Sequence, residues 1–91
     1  MKVGAHIFVK GLVQGVGFRY FVMREANHNG LTGFVKNLYD GSVEVYVEGE
    51  KTSVDQFKTV LKAGSSFSRV DRIEVKDLPY ANKYSRFSVE L

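Results

Sequence analysis

The sequence has no cysteine, no tryptophan, one proline in 91 residues and no long apolar run. Without a thiol there can be no disulfide framework, no cysteine nucleophile and no thiolate metal site, and a reducing cytosol is permitted. No stretch approaches the roughly 20 apolar residues of a membrane helix. Met1-Lys2-Val3-Gly4-Ala5-His6 lacks the apolar stretch of a secretion signal, so the expected location is the cytoplasm, with no membrane partner. Histidine is scarce too: His6 and His28 are neither close in sequence nor at helical ligand spacing, and they mark neither a metal site nor a histidine base. Thirteen basic against ten acidic side chains leave a net charge of +3, and the basic ones are scattered from Lys2 to Arg86 with no run of three. That excludes a basic tract of the kind that holds nucleic acid nonspecifically, and leaves a weak preference for anionic partners.

What is present suits a small folded protein. Hydrophobic residues at 44% and charged residues at 25% fit neither disorder nor a membrane-embedded chain. So short a chain cannot assemble two cores, and residues 1–91 are expected to form a single domain, a monomer.

Periodicity gives a mixed order of elements. Ile7 and Val9 alternate against His6, Phe8 and Lys10, a half-buried strand ending at Gly11. Phe18, Phe21, Val22 and Ala26 trace one helical face, which Asn29-Gly30 can stop in a left-handed cap. Leu31 to Leu38 and Ser42 to Gly49 read as strands joined through Tyr39-Asp40-Gly41, where Asp-Gly signals a tight turn. In the second arm Val43, Val45 and Val47 point one way, while Glu44, Tyr46 and Glu48 form an expected solvated face. Ser53 and Gln56 have capping-box spacing ahead of the stripe Val54, Phe57, Leu61, a second helix ending near Gly64. Ile73 and Val75 mark a further strand, a polar link follows from Asp77 to Ser85, and Phe87, Val89 and Leu91 alternate at the end. The expected fold class is α+β: a ferredoxin-like βαββαβ sandwich, a mixed or antiparallel sheet with two helices on one face and a short C-terminal edge strand. That architecture alone does not choose a function.

The segment that carries chemistry joins the first strand to the first helix: Gly11-Leu12-Val13-Gln14-Gly15-Val16-Gly17-Phe18-Arg19. Gly15 and Gly17 let the backbone adopt angles a β-carbon forbids, so that successive N–H groups can form an anion nest. The first free amides of the helix add donors, and Arg19 adds a planar fork matched to two phosphate oxygens. In glycine-rich turns generally the commoner arrangement is a plain connection with a solvated arginine. No lysine followed by Ser or Thr completes a Walker loop, and Tyr20 stands where a dinucleotide fingerprint needs its third glycine, so nucleotide binding is unsupported.

This loop resembles the signature loop of acylphosphatases. Gly33-Phe34-Val35-Lys36-Asn37-Leu38-Tyr39-Asp40-Gly41-Ser42-Val43-Glu44 is similar to the second signature of that family, G-x-V-x-N-x-x-D-G-x-V-E, at every fixed position. The resemblance covers nearly the whole chain, and its one departure is Gly64-Ser65, where many relatives have Gly-Pro, at a turn away from the loop. It implies that Arg19, with the amides of Gln14, Gly15, Val16, Gly17, Phe18 and Arg19 itself, binds a phosphoryl group, and that Asn37 orients an attacking water. The implied reaction splits the carboxyl-phosphate bond of a small acyl phosphate into a carboxylate and inorganic phosphate, with no metal and no cofactor. Inorganic phosphate, being both the product and the anion the loop is shaped for, is then an expected competitive inhibitor.

The chemistry of acyl phosphates suits so sparse a site. A carboxylate, with a conjugate-acid pKa of roughly 4, departs without a general acid. What remains is to place water in line and to stabilise the phosphoryl oxygens as bonding loosens, tasks for a carboxamide and for fixed positive potential. Taken alone, Asn37 beside a hairpin more often bonds the turn backbone, and Asp40-Gly41 reads as the turn itself. The rival reading is a single-stranded RNA reader, because Ile7 to Leu12 looks like the first-strand motif of RNA-recognition domains. The third strand speaks against it: Gly41 to Glu48 is acidic where a basic, aromatic octamer belongs, and only Phe8 and Tyr46 offer stacking rings. A carbamoyl-phosphate module of a larger assembly is a further alternative, with no such extension in this sequence. No residue in either signature marks a pocket for the acyl group.

Overall fold

A computed structural model describes residues 1–91. Its elements are β1 (Lys2–Leu12), α1 (Phe18–His28), β2 (Thr32–Asn37), β3 (Val43–Glu50), α2 (Lys51–Ala63), β4 (Arg69–Pro79) and β5 (Phe87–Glu90). They form one five-stranded sheet in the order β4-β1-β3-β2-β5. Neighbours are antiparallel except β2 and β5, which run parallel. This is the ferredoxin-like α+β arrangement with the added edge strand.

Both helices cover one face. Ala5, Ile7 and Val9 of β1, Val35 of β2 and Val43, Val45 and Val47 of β3 are buried there beneath Phe18, Val22 and Ala26 of α1 and Val54, Phe57 and Leu61 of α2. The period of two in the strands meets the period near 3.6 in the helices, and this match holds the layers in register. At the end of α1, Gly30 takes φ +68°, its N–H donating to Asn27 O and that of Leu31 to Ala26 O, so the left-handed residue is Gly30 and not Asn29.

Several sequence expectations need correction. β1 does not stop at Gly11; it continues to Leu12 through a bulge between Lys10 and Gly11, where β4 keeps pairing with it. Ser53 and Gln56 form no capping box. α2 begins at Lys51 with Glu50 as an extended N-cap that makes no side-chain cap, because β3 stays paired with β1 up to Lys2↔Glu50 and runs straight into the helix. The Met1 carbonyl accepts the Lys51 N–H at 2.9 Å, and Glu50 binds the Met1 ammonium at 3.0 Å instead. The polar link is shorter than expected, since Asp77, Leu78 and Pro79 pair with Ala5, Gly4 and Val3 in β4.

The open face of β3 is not fully solvated either. Tyr46 and Glu48 are 6% and 1% exposed, beneath the connection from β4 to β5. The Glu48 carboxylate accepts the Ala81 N–H at 2.6 Å, the Lys83 N–H at 2.9 Å and the Tyr46 hydroxyl at 3.0 Å. Alternation alone shows only which residues share a face; a distant segment decides whether water reaches them.

Candidate active site

Residues 13–17 connect β1 to α1. Val13 and Phe18, each 1% exposed, anchor the two ends in the core, and Val16 packs against it from between them. Gly15 and Gly17 are exposed and both take φ +74°. A β-carbon at either would meet no atom within 4 Å, so the backbone angle, not crowding, demands glycine, at about 1–2 kcal/mol for an L-residue there.

This geometry leaves donors uncommitted. No amide from Gln14 to Gly17 donates to a backbone carbonyl, and the first bond into α1 runs from the Phe21 N–H to Gly17 O at 3.1 Å. The first-turn amides of α1 are free by helix geometry, no side chain caps the helix, and no acidic residue stands in its first turn. A helix start so bare keeps its positive end available to an external anion.

Arg19 sits in that first turn. Its Nη1 donates to Glu90 O at 2.9 Å, so β5 steadies the guanidinium through a backbone carbonyl, while its charge takes part in no ion pair. The other N–H groups of the fork remain free to bind.

Asn37 closes β2, two residues beyond buried Val35 and on the same face of the strand. It lies across from the loop, and the two enclose a cavity of about 170 Å³ lined by Val13, Gly15, Gly17, Phe18, Arg19, Tyr20 and Asn37. Asn37 Oδ1 is buried and has no hydrogen-bond partner within the protein. An orphaned buried acceptor costs about 1–3 kcal/mol and calls for a reason.

Gln14 and Val16, the other two loop residues singled out from the sequence, do not line this cavity. The Gln14 carboxamide donates to Leu38 O at 2.7 Å and Ser42 O at 2.8 Å, tying the loop to the turn that follows Asn37. Sequence reasoning missed this tie and the Glu90 contact to Arg19, since both acceptors are backbone carbonyls and leave no signal in side-chain identity.

Asp40 belongs to that turn. Its carboxylate accepts the Ser42 hydroxyl and, at 2.9 Å, the Ser42 N–H. The Ser42 hydroxyl first, then the Ser42 N–H, hold its pKa down at about 2, which makes it a poor base. His6 is bound to Glu44 at 2.7 Å. No group of three or more His, Cys, Asp or Glu side chains is placed to hold a metal ion.

Comparison with known proteins gives a consistent result. The Acylphosphatase family model matches residues 5–89. The acylphosphatase of Caldanaerobacter subterraneus subsp. tengcongensis is 43% identical over 89 residues, 98% of this chain and 99% of the relative. That of Mannheimia succiniciproducens is 46% identical over 82 residues, 90% and 91% of the two chains. The crystal structure of acylphosphatase from Bacillus subtilis superimposes with a TM-score of 0.94 at 43% identity, covering 98% of this chain and 99% of that one.

Proposed function

The chain belongs to the acylphosphatase family, a family of hydrolases, and from that premise we propose that it splits acyl phosphates without a metal, using the loop from Gln14 to Arg19 and Asn37. The observation that carries this reading is the shared wall of the 170 Å³ cavity. Arg19, the two left-handed glycines and Asn37, whose buried Oδ1 has no partner within the protein, line one small space.

The phosphoryl group rests on the loop amides and the guanidinium, whose positive potential is in place before the reaction begins and grows in effect as negative charge gathers on the phosphoryl oxygens. Asn37 Oδ1 accepts a hydrogen bond from water and holds it in line with the bond to be broken. Water oxygen bonds to phosphorus as the bond from phosphorus to the acyl oxygen breaks. The electron pair leaves with the carboxylate, and the water proton passes to a phosphoryl oxygen, giving RCOO⁻ and H₂PO₄⁻ from RCO–OPO₃²⁻ and H₂O. A leaving group with a conjugate-acid pKa of roughly 4 needs no general acid, in keeping with a cavity bordered by no carboxylate or histidine. The same reading takes residues 1–91 as one domain that works as a cytoplasmic monomer, in keeping with a cysteine-free sequence.

The test is hydrolysis of benzoyl phosphate by the purified protein in excess chelator. Full activity with competitive inhibition by inorganic phosphate is expected. Activity lost to chelator and restored by a divalent ion would overturn the metal-free scheme, and noncompetitive inhibition by phosphate would overturn the shared cradle.

A further inference from the structure

Asn37 borders a second and larger cavity, of about 560 Å³, walled by Gln14, Lys36, Leu38, Tyr39 and Leu91 as well. Its volume lies in the range of small-molecule sites, roughly 300–1,000 Å³. The wall it shares with the smaller cavity is the one side chain assigned to orient water, so a group bonded to a phosphoryl held by the loop has this space beside it.

The lining has a definite chemistry. Leu38, Tyr39 and Leu91 supply apolar surface, and Tyr39 and Leu91 are as exposed as in an extended chain, at 112% and 101%. The bonds from Gln14 to Leu38 O and Ser42 O tie the backbone of this turn to the loop, while the Tyr39 side chain projects from it exposed. Lys36 supplies charge. Its register neighbours are Glu44 on β3 and Glu90 on β5, yet Glu44 is taken by His6 at 2.7 Å and Glu90 makes no ion pair with it. Lys36 therefore stands at the cavity in none of the chain's ion pairs.

Resting on the acylphosphatase reading, the geometry points to this cavity as the seat of the acyl group, with a preference for acyl phosphates whose apolar or aromatic body carries a distal carboxylate. Tyr39 and Leu38 contact the body, and Lys36 receives the carboxylate. Acetyl phosphate, with neither an aromatic body nor a distal carboxylate, offers neither contact.

Steady-state kinetics with acetyl phosphate, benzoyl phosphate and 4-carboxybenzoyl phosphate tests this. KM is expected to fall in that order for the unaltered protein. Lys36→Gln should raise KM for 4-carboxybenzoyl phosphate about fivefold more than for benzoyl phosphate, the upper range for a solvent-accessible ion pair. Tyr39→Ala should raise KM for both aryl substrates roughly fivefold relative to acetyl phosphate, as loss of an aromatic contact would. Equal shifts on all three substrates, or none, would overturn the acyl seat while leaving the hydrolase reading intact. No hydrolysis of any of the three by the unaltered protein would sink both.

Discussion

The chain gathers backbone amides around an anion at one place and leaves amides open at another, on different faces of the same sheet. At Glu48 the anion is internal: the N–H groups of Ala81 and Lys83 and the Tyr46 hydroxyl close on a carboxylate that is 1% exposed. Burial by itself raises that carboxyl's pKa, but the amides and the hydroxyl outweigh it and hold the group below the usual carboxylate range. Burial first, then the bond to Glu48, push the Tyr46 phenol up to about 12. Phe34 and Tyr84 pack around Tyr46 with ring centroids 6.4 and 5.5 Å away, and Lys83 Nζ sits 5.4 Å from its ring centre. Every strong group there has a partner. At the loop the reverse holds: the amides of Gln14 to Gly17 have no backbone acceptor, the helix start is uncapped and Asn37 Oδ1 is orphaned. The difference separates an anion site that the fold completes from a loop whose donors and acceptor the fold leaves without partners.

Four substitutions sharpen or break this contrast. Arg19→Ala should have the largest effect, a loss of roughly a thousandfold or more in kcat/KM together with weaker inhibition by phosphate, as when a preorganised arginine is removed from phosphoryl transfer. Unchanged phosphate inhibition would remove Arg19 from the cradle. Asn37→Ala should lower kcat by roughly a hundred- to a thousandfold while phosphate inhibition stays near its original strength. A variant that turns over at the original rate would show that Oδ1 aims no water.

Glu48→Ala should act on stability alone. It leaves the Ala81 and Lys83 amides and the Tyr46 hydroxyl without their acceptor, a loss of about 3 kcal/mol read from the denaturant midpoint, with kcat unchanged in the folded protein. A large fall in kcat at full folding would mean that the two sites are coupled. The smallest effect belongs to Asp40. Its pKa is depressed from 3.8 to about 2 in the folded protein, so the stability it contributes is complete above about pH 4 and lost as pH falls toward 2. Asp40→Asn should flatten the fall in denaturant midpoint across that window, and the curves of the two proteins should converge near pH 2. Parallel curves would show that the Ser42 bonds do not favour the ionised form. Glu48, depressed in the same direction, accounts for part of the slope that remains.

Much of this molecule was legible in its residues. The alternation at Val43, Val45 and Val47 and the stripes of Phe18, Val22, Ala26 and of Val54, Phe57, Leu61 marked the buried faces correctly, because burial of a periodic apolar face is what drives each element into place. The loop glycines were legible for a different reason: a left-handed angle admits few residues other than glycine, so the backbone's needs are written in residue type. The failures share a cause as well. Ser53 lost its capping role to a strand that runs directly into α2, and Glu48 lost its solvent to residues more than 30 positions away, at Ala81 and Lys83. In both cases a partner far along the chain outcompeted a local signal.

The sequence by itself determined the order of elements, the apolar faces and the glycines that the left-handed loop angles require. Tertiary structure decided that Asn37 faces Arg19 across one cavity, that Glu90 O steadies the guanidinium, that Gln14 ties loop to turn, and that Lys36 stands without a counter-ion beside them. The physical reason is one of range: periodicity and backbone preference act over a few residues and are encoded in them, whereas a hydrogen bond to a carbonyl is the same whichever residue carries it, and only folding selects which one comes within reach.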